Sequence, residues 1–172
     1  VCKIVIEFRK FKLMKRVNVP IDLQLAIDPG KHVIPESVWF EEWLALTLKE
    51  LNRPKENHEV CLRICDQHES RSLNMAFRQI DNPTNVLSFP ANIEFDEVPQ
   101  ILGDVVICWD IMIDQARDQN KELNDHVSHL FVHGLLHLLG YTHELAHKEF
   151  EMEEIEIKVL AKKGLPNPYL AL

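Results

Sequence analysis

Three histidines in one short stretch, His133, His137 and His143, have the types and spacing to hold a metal ion. His133 and His137 are four residues apart, so on a helix they lie on one face, one turn from each other. His143 cannot stay on that helix, because a continued helix would carry it about 15 Å along the axis from His133. Metal–nitrogen bonds are only about 2.0–2.1 Å long, so the chain must turn back. Gly140 lies where the turn is needed, and glycine enters the left-handed conformation cheaply at a helix end. The spacing therefore predicts a helix, a glycine turn and three converging imidazoles, with zinc as the ion, one per chain. Three protein ligands leave a fourth position free, which is the arrangement of a catalytic zinc and not of a closed structural one.

The elements that must position these residues follow from periodicity. Apolar residues alternate through Ile21–Ala26, and Val60, Leu62 and Ile64 alternate with Cys61, Arg63 and Cys65, giving two strands. Asn85–Phe89, stopped by Pro90, and Leu102–Cys108 are a third and a fourth. Phe40, Trp43, Leu44, Leu48 and Leu51 mark one face of a helix over Pro35–Leu51. Glu69–Arg78, Asp110–Gln119, Glu122–Leu139 and Leu145–Lys163, the last ended by Gly164, complete the helices. Strands alternating with helices define an α/β (α+β) class: a small, mainly four-stranded sheet with about five helices and the zinc site at the end of one of them. Residues 91–100 read as an acidic loop.

Composition bounds the rest. A chain of 172 residues with 46% hydrophobic and 27% charged residues is one globular unit with a real core and no membrane span. There is no signal-peptide pattern, since Ile4-Val5-Ile6 is cut short by Glu7. Cys2, Cys61, Cys65 and Cys108 lack the spacing of a secreted framework, and Cys61 and Cys65 are expected as strand residues; a reducing cytoplasm fits. Net charge of −8 argues against indiscriminate nucleic-acid binding, so any RNA contact must be local. Lys3, Arg9, Lys10, Lys12, Lys15 and Arg16 instead crowd the start, and residues 1–13 are expected to be a disordered basic extension of a single domain over 14–172.

His126 and His129 extend the stripe of His133 and His137 but sit too far along the helix to join the same ion; they are either hydrogen-bonded helix residues or the lining of a substrate groove. His147 is expected at the surface, and nothing is assigned to His32, His58 or His68. Asp104 is a candidate for orienting a ligand histidine, or for capping a turn.

The run His133–His143 resembles the H-G-x-x-H-L-x-G-Y-x-H signature of the YbeY family of metal-dependent endoribonucleases. The likeness extends from Met14 to Tyr169. It includes Arg78, Asp81, the run Pro83–Pro90, Leu102-Gly103-Asp104 and Pro168-Tyr169. The resemblance implies a zinc-binding α/β fold in which His133, His137 and His143 hold the metal. It implies single-strand-specific RNA cleavage, with a zinc-activated water attacking a phosphodiester and with Arg78 and His133 as catalytic residues. It also implies a part in small-subunit rRNA maturation and ribosome quality control, with the ribosome or its assembly factors as partners and without DNA. A planar guanidinium suits the charge that builds on non-bridging phosphate oxygens. Thr142 departs from the pattern, which commonly has aspartate there, and this bears on the hydrogen bonding of His143.

Two other classes share parts of this pattern. Metzincin peptidases have the same histidine spacing, but their general-base glutamate is replaced here by Gly134. A non-catalytic ribosome-assembly factor would need a structural metal and so a fourth ligand from elsewhere in the chain.

Overall fold

The protein, a computed structural model, is described over residues 20–28, 30–53, 58–91 and 100–170. In chain order its elements are β1 (Ile21–Leu25), α1 (Ser37–Glu50), β2 (His58–Cys65), α2 (Gln67–Arg78), β3 (Val86–Pro90), β4 (Gln100–Cys108), α3 (Trp109–Asp118), α4 (Leu123–Leu138) and α5 (Ala146–Ala161). This is the α/β class with a four-stranded sheet and five helices that the periodicity predicts. The expected extension over residues 1–13 and most of the acidic loop fall outside the described residues. Among the described residues no helix is long and apolar enough to cross a membrane.

The sheet order is β1-β2-β4-β3. β1, β2 and β4 run parallel, and β3 pairs antiparallel with β4 from Val86↔Ile107 to Pro90↔Gly103. Pro90 is the last residue of β3 and does not precede its end; β3 is an edge strand, where a missing N–H is tolerated. α2 starts two residues earlier than its apolar pattern suggests, because the Asp66 carboxylate accepts a 2.8 Å hydrogen bond from the Glu69 N–H and caps the first turn.

Strand alternation divides the core between two faces. On one, Leu62, Ile64, Val105 and Ile107 meet Phe40, Trp43 and Leu48 of α1, Phe131 and Leu135 of α4, and Met152 and Val159 of α5. On the other, Cys65, Val106, Cys108 and Leu87 lie beneath Leu73 of α2 in a smaller cluster. Cys65 and Cys108 are register partners on β2 and β4, so the strand-residue reading of Cys65 is correct.

α4 is the central helix. It is buried against α1, α3, α5 and the sheet, with Val127, Phe131, Val132, Leu135 and Leu136 fully enclosed. It comes close to the sheet at Gly134, where a Cβ would lie 3.1 Å from both Ser88 Oγ and Val105 Cγ1. A glycine here lets α4 settle directly on β3 and β4, and a larger side chain at this position would press on Ser88 and Val105.

Candidate metal centre

α4 presents His133 and His137 one above the other near its C-terminus and then ends in a Schellman motif. Gly140 has φ +93, its N–H donates to His137 O at 3.1 Å, and the Tyr141 N–H donates to Leu136 O at 3.0 Å. The turn folds Tyr141-Thr142-His143 back over the helix end. His143 then lies with its ring centroid 5.5 Å from that of His133 and 5.0 Å from that of His137. One ligand atom from each of the three imidazoles falls within 4.8 Å of the others, and no fourth His, Cys, Asp or Glu joins this group among the described residues. The helix, the glycine turn and the convergence are those that the spacing predicts.

The hydrogen bonds around the rings assign their protons. His133 Nδ1 lies 2.9 Å from Glu156 Oε1, and His137 Nδ1 lies 3.0 Å from the carbonyl of Tyr141. A carboxylate and a carbonyl only accept, so both Nδ1 atoms carry the proton and donate. Both Nε2 atoms are then bare lone pairs, and they face each other at 3.0 Å. Two bare acceptors at that distance repel unless a positive centre lies between them. Two nitrogens bound at 2.0–2.1 Å to one tetrahedral ion stand about 3.3 Å apart, which is close to this separation. The donor set therefore fits a metal ion, and His133, His137 and His143 are the residues that would hold it.

Glu156 sits on α5 with none of its side chain exposed. Besides His133 it accepts from His129 Nε2 at 2.8 Å and from the hydroxyl of Tyr169. Burial alone would raise its carboxyl pKa, but the hydrogen bonds from His129, His133 and Tyr169 outweigh this and hold it at about 2. Burial, followed by the neighbouring His133, pushes His137 below the usual imidazole range, which keeps its ring neutral as a ligand.

The rest of the stripe is hydrogen-bonded. His126 is buried and lies 3.1 Å from Gln115 Oε1 of α3, and His129 is taken by Glu156. Burial, then His129 and Lys121, lower the His126 pKa to about 4. His147 is exposed, as expected. The orienting role suggested for Asp104 belongs to other groups: the Nδ1 atoms of His133 and His137 are occupied by Glu156 and by the Tyr141 carbonyl. Thr142 Oγ1 is buried with no hydrogen-bond partner and gives His143 no support. The sequence pattern gives no role to Glu156, and Tyr169 enters it only within the family-like Pro168-Tyr169. The available signal was a charged residue at position 156 in the otherwise apolar inward row Met152, Val159, Leu160.

Arg78 is not drawn into the histidine group. It is the exposed last residue of α2, on the other face of the sheet from α4, and it forms no hydrogen bond or ion pair with a described residue. Its neighbour Phe77 packs edge-on against Phe89 of β3 with ring centroids 4.9 Å apart. Ser88, one residue before Phe89, backs onto Gly134 of α4. The end of α2 and the metal helix thus meet the same edge strand from opposite sides.

A small sheet bearing a buried helix, with three imidazoles gathered at its end and no fourth side-chain ligand beside them among the described residues, defines an α/β protein with a histidine cluster that could hold a metal ion. The family model described as Endoribonuclease YbeY matches residues 32–164, and the chain belongs to that family. A relative named Endoribonuclease YbeY, from Colwellia psychrerythraea (strain 34H / ATCC BAA-681), is 42% identical over 151 residues, covering 87% of this chain and 96% of its own length. The solution structure of TM1509 from Thermotoga maritima has a similar fold. Its TM-score is 0.51 at 24% identity, covering 87% of this chain and 99% of that one.

Proposed function

We propose that this chain is a zinc-dependent endoribonuclease that cleaves single-stranded RNA and acts in small-subunit rRNA maturation and ribosome quality control, in the cytoplasm. The family supports the endoribonuclease activity and the RNA substrate. The observation that carries the metal reading is the pair of bare Nε2 atoms of His133 and His137 facing each other at 3.0 Å, with His143 beside them. Bound by these three residues, Zn2+ would supply Lewis acidity towards a phosphoryl oxygen and lower the pKa of a water. The chain's own groups do the remaining work. His133 and His137 present fixed lone pairs, and Arg78, which has no hydrogen-bond or ion-pair partner among the described residues, is suited to meet phosphate charge with its planar fork. The net charge of −8 makes such local contacts, and not a broad basic surface, the means of holding RNA. The ribosome or its assembly factors would supply the partners, and the working domain is taken as residues 14–172.

The test is cleavage of a single-stranded RNA oligonucleotide by zinc-loaded protein, set beside a duplex of the same sequence and an unstructured peptide. Cleavage of the single strand alone, abolished by a chelator and restored by zinc, is expected. Stoichiometric zinc without any cleavage would favour a non-catalytic assembly factor, and peptide cleavage would favour a peptidase. Arg78→Ala should keep fold and zinc and lose about a hundred-fold in single-turnover cleavage, the scale of one lost charge-stabilising donor. Arg78→Lys should rescue little of it.

A further inference from the structure

α5 turns one row of side chains into the core, and Met152, Val159 and Leu160 in that row are apolar and enclosed. Glu156 occupies the same row and is equally enclosed. For stability alone an apolar residue would serve better, since buried ion pairs are often no better than well-packed hydrophobic groups of the same volume. Yet each hydrogen bond to this carboxylate comes from the histidine stripe or from the segment that follows α5. Oε1 accepts from His133 Nδ1 at 2.9 Å, and Oε2 accepts from His129 Nε2 at 2.8 Å and from the Tyr169 hydroxyl. Tyr169 also stacks edge-on against His129 with ring centroids 5.3 Å apart.

We infer that Glu156 is a positioning residue for the metal centre, and that His129 and Tyr169 position Glu156 in turn. The carboxylate fixes the His133 ring with its proton on Nδ1, aims Nε2 at the ion and, being negatively charged, makes that nitrogen a stronger donor to the metal. His137 gets only a neutral carbonyl for the same purpose, and His143 gets no hydrogen-bond acceptor among the described residues. The three ligands are therefore unequal, and His133 is the most strongly supported. Tyr169 ties this support to the segment after α5, so a residue far from the histidine motif in sequence acts on it through one carboxylate. The inference rests on the metal reading above.

The experiment is competition of the protein with a chromophoric chelator for Zn2+, using the full chain and Glu156→Gln. Glutamine keeps the shape and an acceptor at Oε1 but removes the charge. Zinc affinity is expected to fall ten- to a hundred-fold, and the metal-free protein is expected to melt lower, because the buried charge that accepts from His129, His133 and Tyr169 is gone. Glu154→Gln, an exposed change on the same helix, should alter neither quantity. Tyr169→Phe, which removes one donor from Oε2, should weaken zinc several-fold. Unchanged zinc affinity in Glu156→Gln, with or without a lower melting temperature, would overturn the inference and leave a structural tie between α5 and α4. Should Glu156→Gln fail to fold, nitrogen-15 spectra of the histidines in zinc-loaded wild-type protein decide. A proton on His133 Nδ1 with zinc on Nε2 is expected, and the reverse tautomer would overturn the inference. Failure of the wild-type chain to take up zinc at all would overturn both this inference and the metal reading, and is thereby distinguished from the loss of Glu156's role alone.

Discussion

His133 and His137 ride on a helix buried along most of its length, and each gives its Nδ1 proton to a fixed acceptor. His143 follows a glycine turn, is exposed, and has no hydrogen bond among the described residues; the hydroxyl of its neighbour Thr142 is buried without a partner. The same imidazole chemistry is thus delivered in two ways. The helix pair is preorganised, its rings oriented before any ion arrives. The loop ligand is brought near by backbone geometry alone and must order its side chain when the ion binds, at a cost in rotamer entropy. Affinity should therefore reside in the pair, with the third ligand completing the coordination and setting how easily the ion exchanges.

Removing the helix pair and the loop ligand separately should have the most unequal effects. His133→Ala/His137→Ala should leave no stoichiometric zinc and no RNA cleavage, whereas His143→Ala should retain zinc at weaker affinity, measured by metal analysis after gel filtration. Equal loss in both would show that the pair is not privileged.

The platform beneath the pair can be tested by pH. His126, one face-turn before His129 on α4, is held neutral to about pH 4, against an ordinary value of 6.5. As pH falls through that window the unfolded chain takes up a proton that the folded chain refuses. Stability is therefore full above about pH 6.5 and is lost on acidification, by about 3 kcal/mol when pH 4 is reached. Glu156 extends the loss below that, since its stabilising charge disappears as pH falls from about 4.5 towards 2. Urea titrations of chelator-stripped protein at several pH values should show this slope, and His126→Gln should flatten it between pH 6.5 and 4. A wild-type profile already flat there would mean that His126 is solvated.

The smallest change aims at the loop alone. Gly140 adopts φ +93, in a region that residues with a Cβ rarely enter, although open space surrounds the position. Gly140→Ala should cost about 1–2 kcal/mol of backbone strain. If that strain falls on the turn, zinc affinity should weaken by about ten-fold while α4 itself, followed by hydrogen exchange of Phe131 and Leu135, stays protected. Loss of that protection would mean that the turn and the helix are one cooperative unit.

The same contrast explains what the sequence made legible. Residues that act on close neighbours left a pattern: the four-residue step from His133 to His137, the glycine that ends the helix, and the alternation that separates Leu62 and Ile64 from Cys65. Groups that act across the fold did not. Glu156 is 23 residues from the imidazole it supports, and only packing α5 against α4 brings them together. The second acceptor, the Tyr141 carbonyl, is a backbone atom and carries no residue signature at all. Asp104 looked suitable because carboxylates do orient metal-ligand histidines, but the choice among carboxylates is made by tertiary structure. The antiparallel direction of β3 was equally hidden, because alternation fixes which side of a strand is buried and not which way it runs. Arg78 is legible as a guanidinium at the end of a helix, and its place across the edge strand from the metal helix emerges only from the Phe77–Phe89 contact.

An open site made of three imidazoles is tested most directly by zinc K-edge X-ray absorption of the loaded protein. Three imidazole nitrogens are expected at about 2.0–2.1 Å, with the remaining coordination from a light oxygen scatterer and no sulfur at about 2.3 Å. A four-ligand protein shell, or any zinc–sulfur distance, would contradict it.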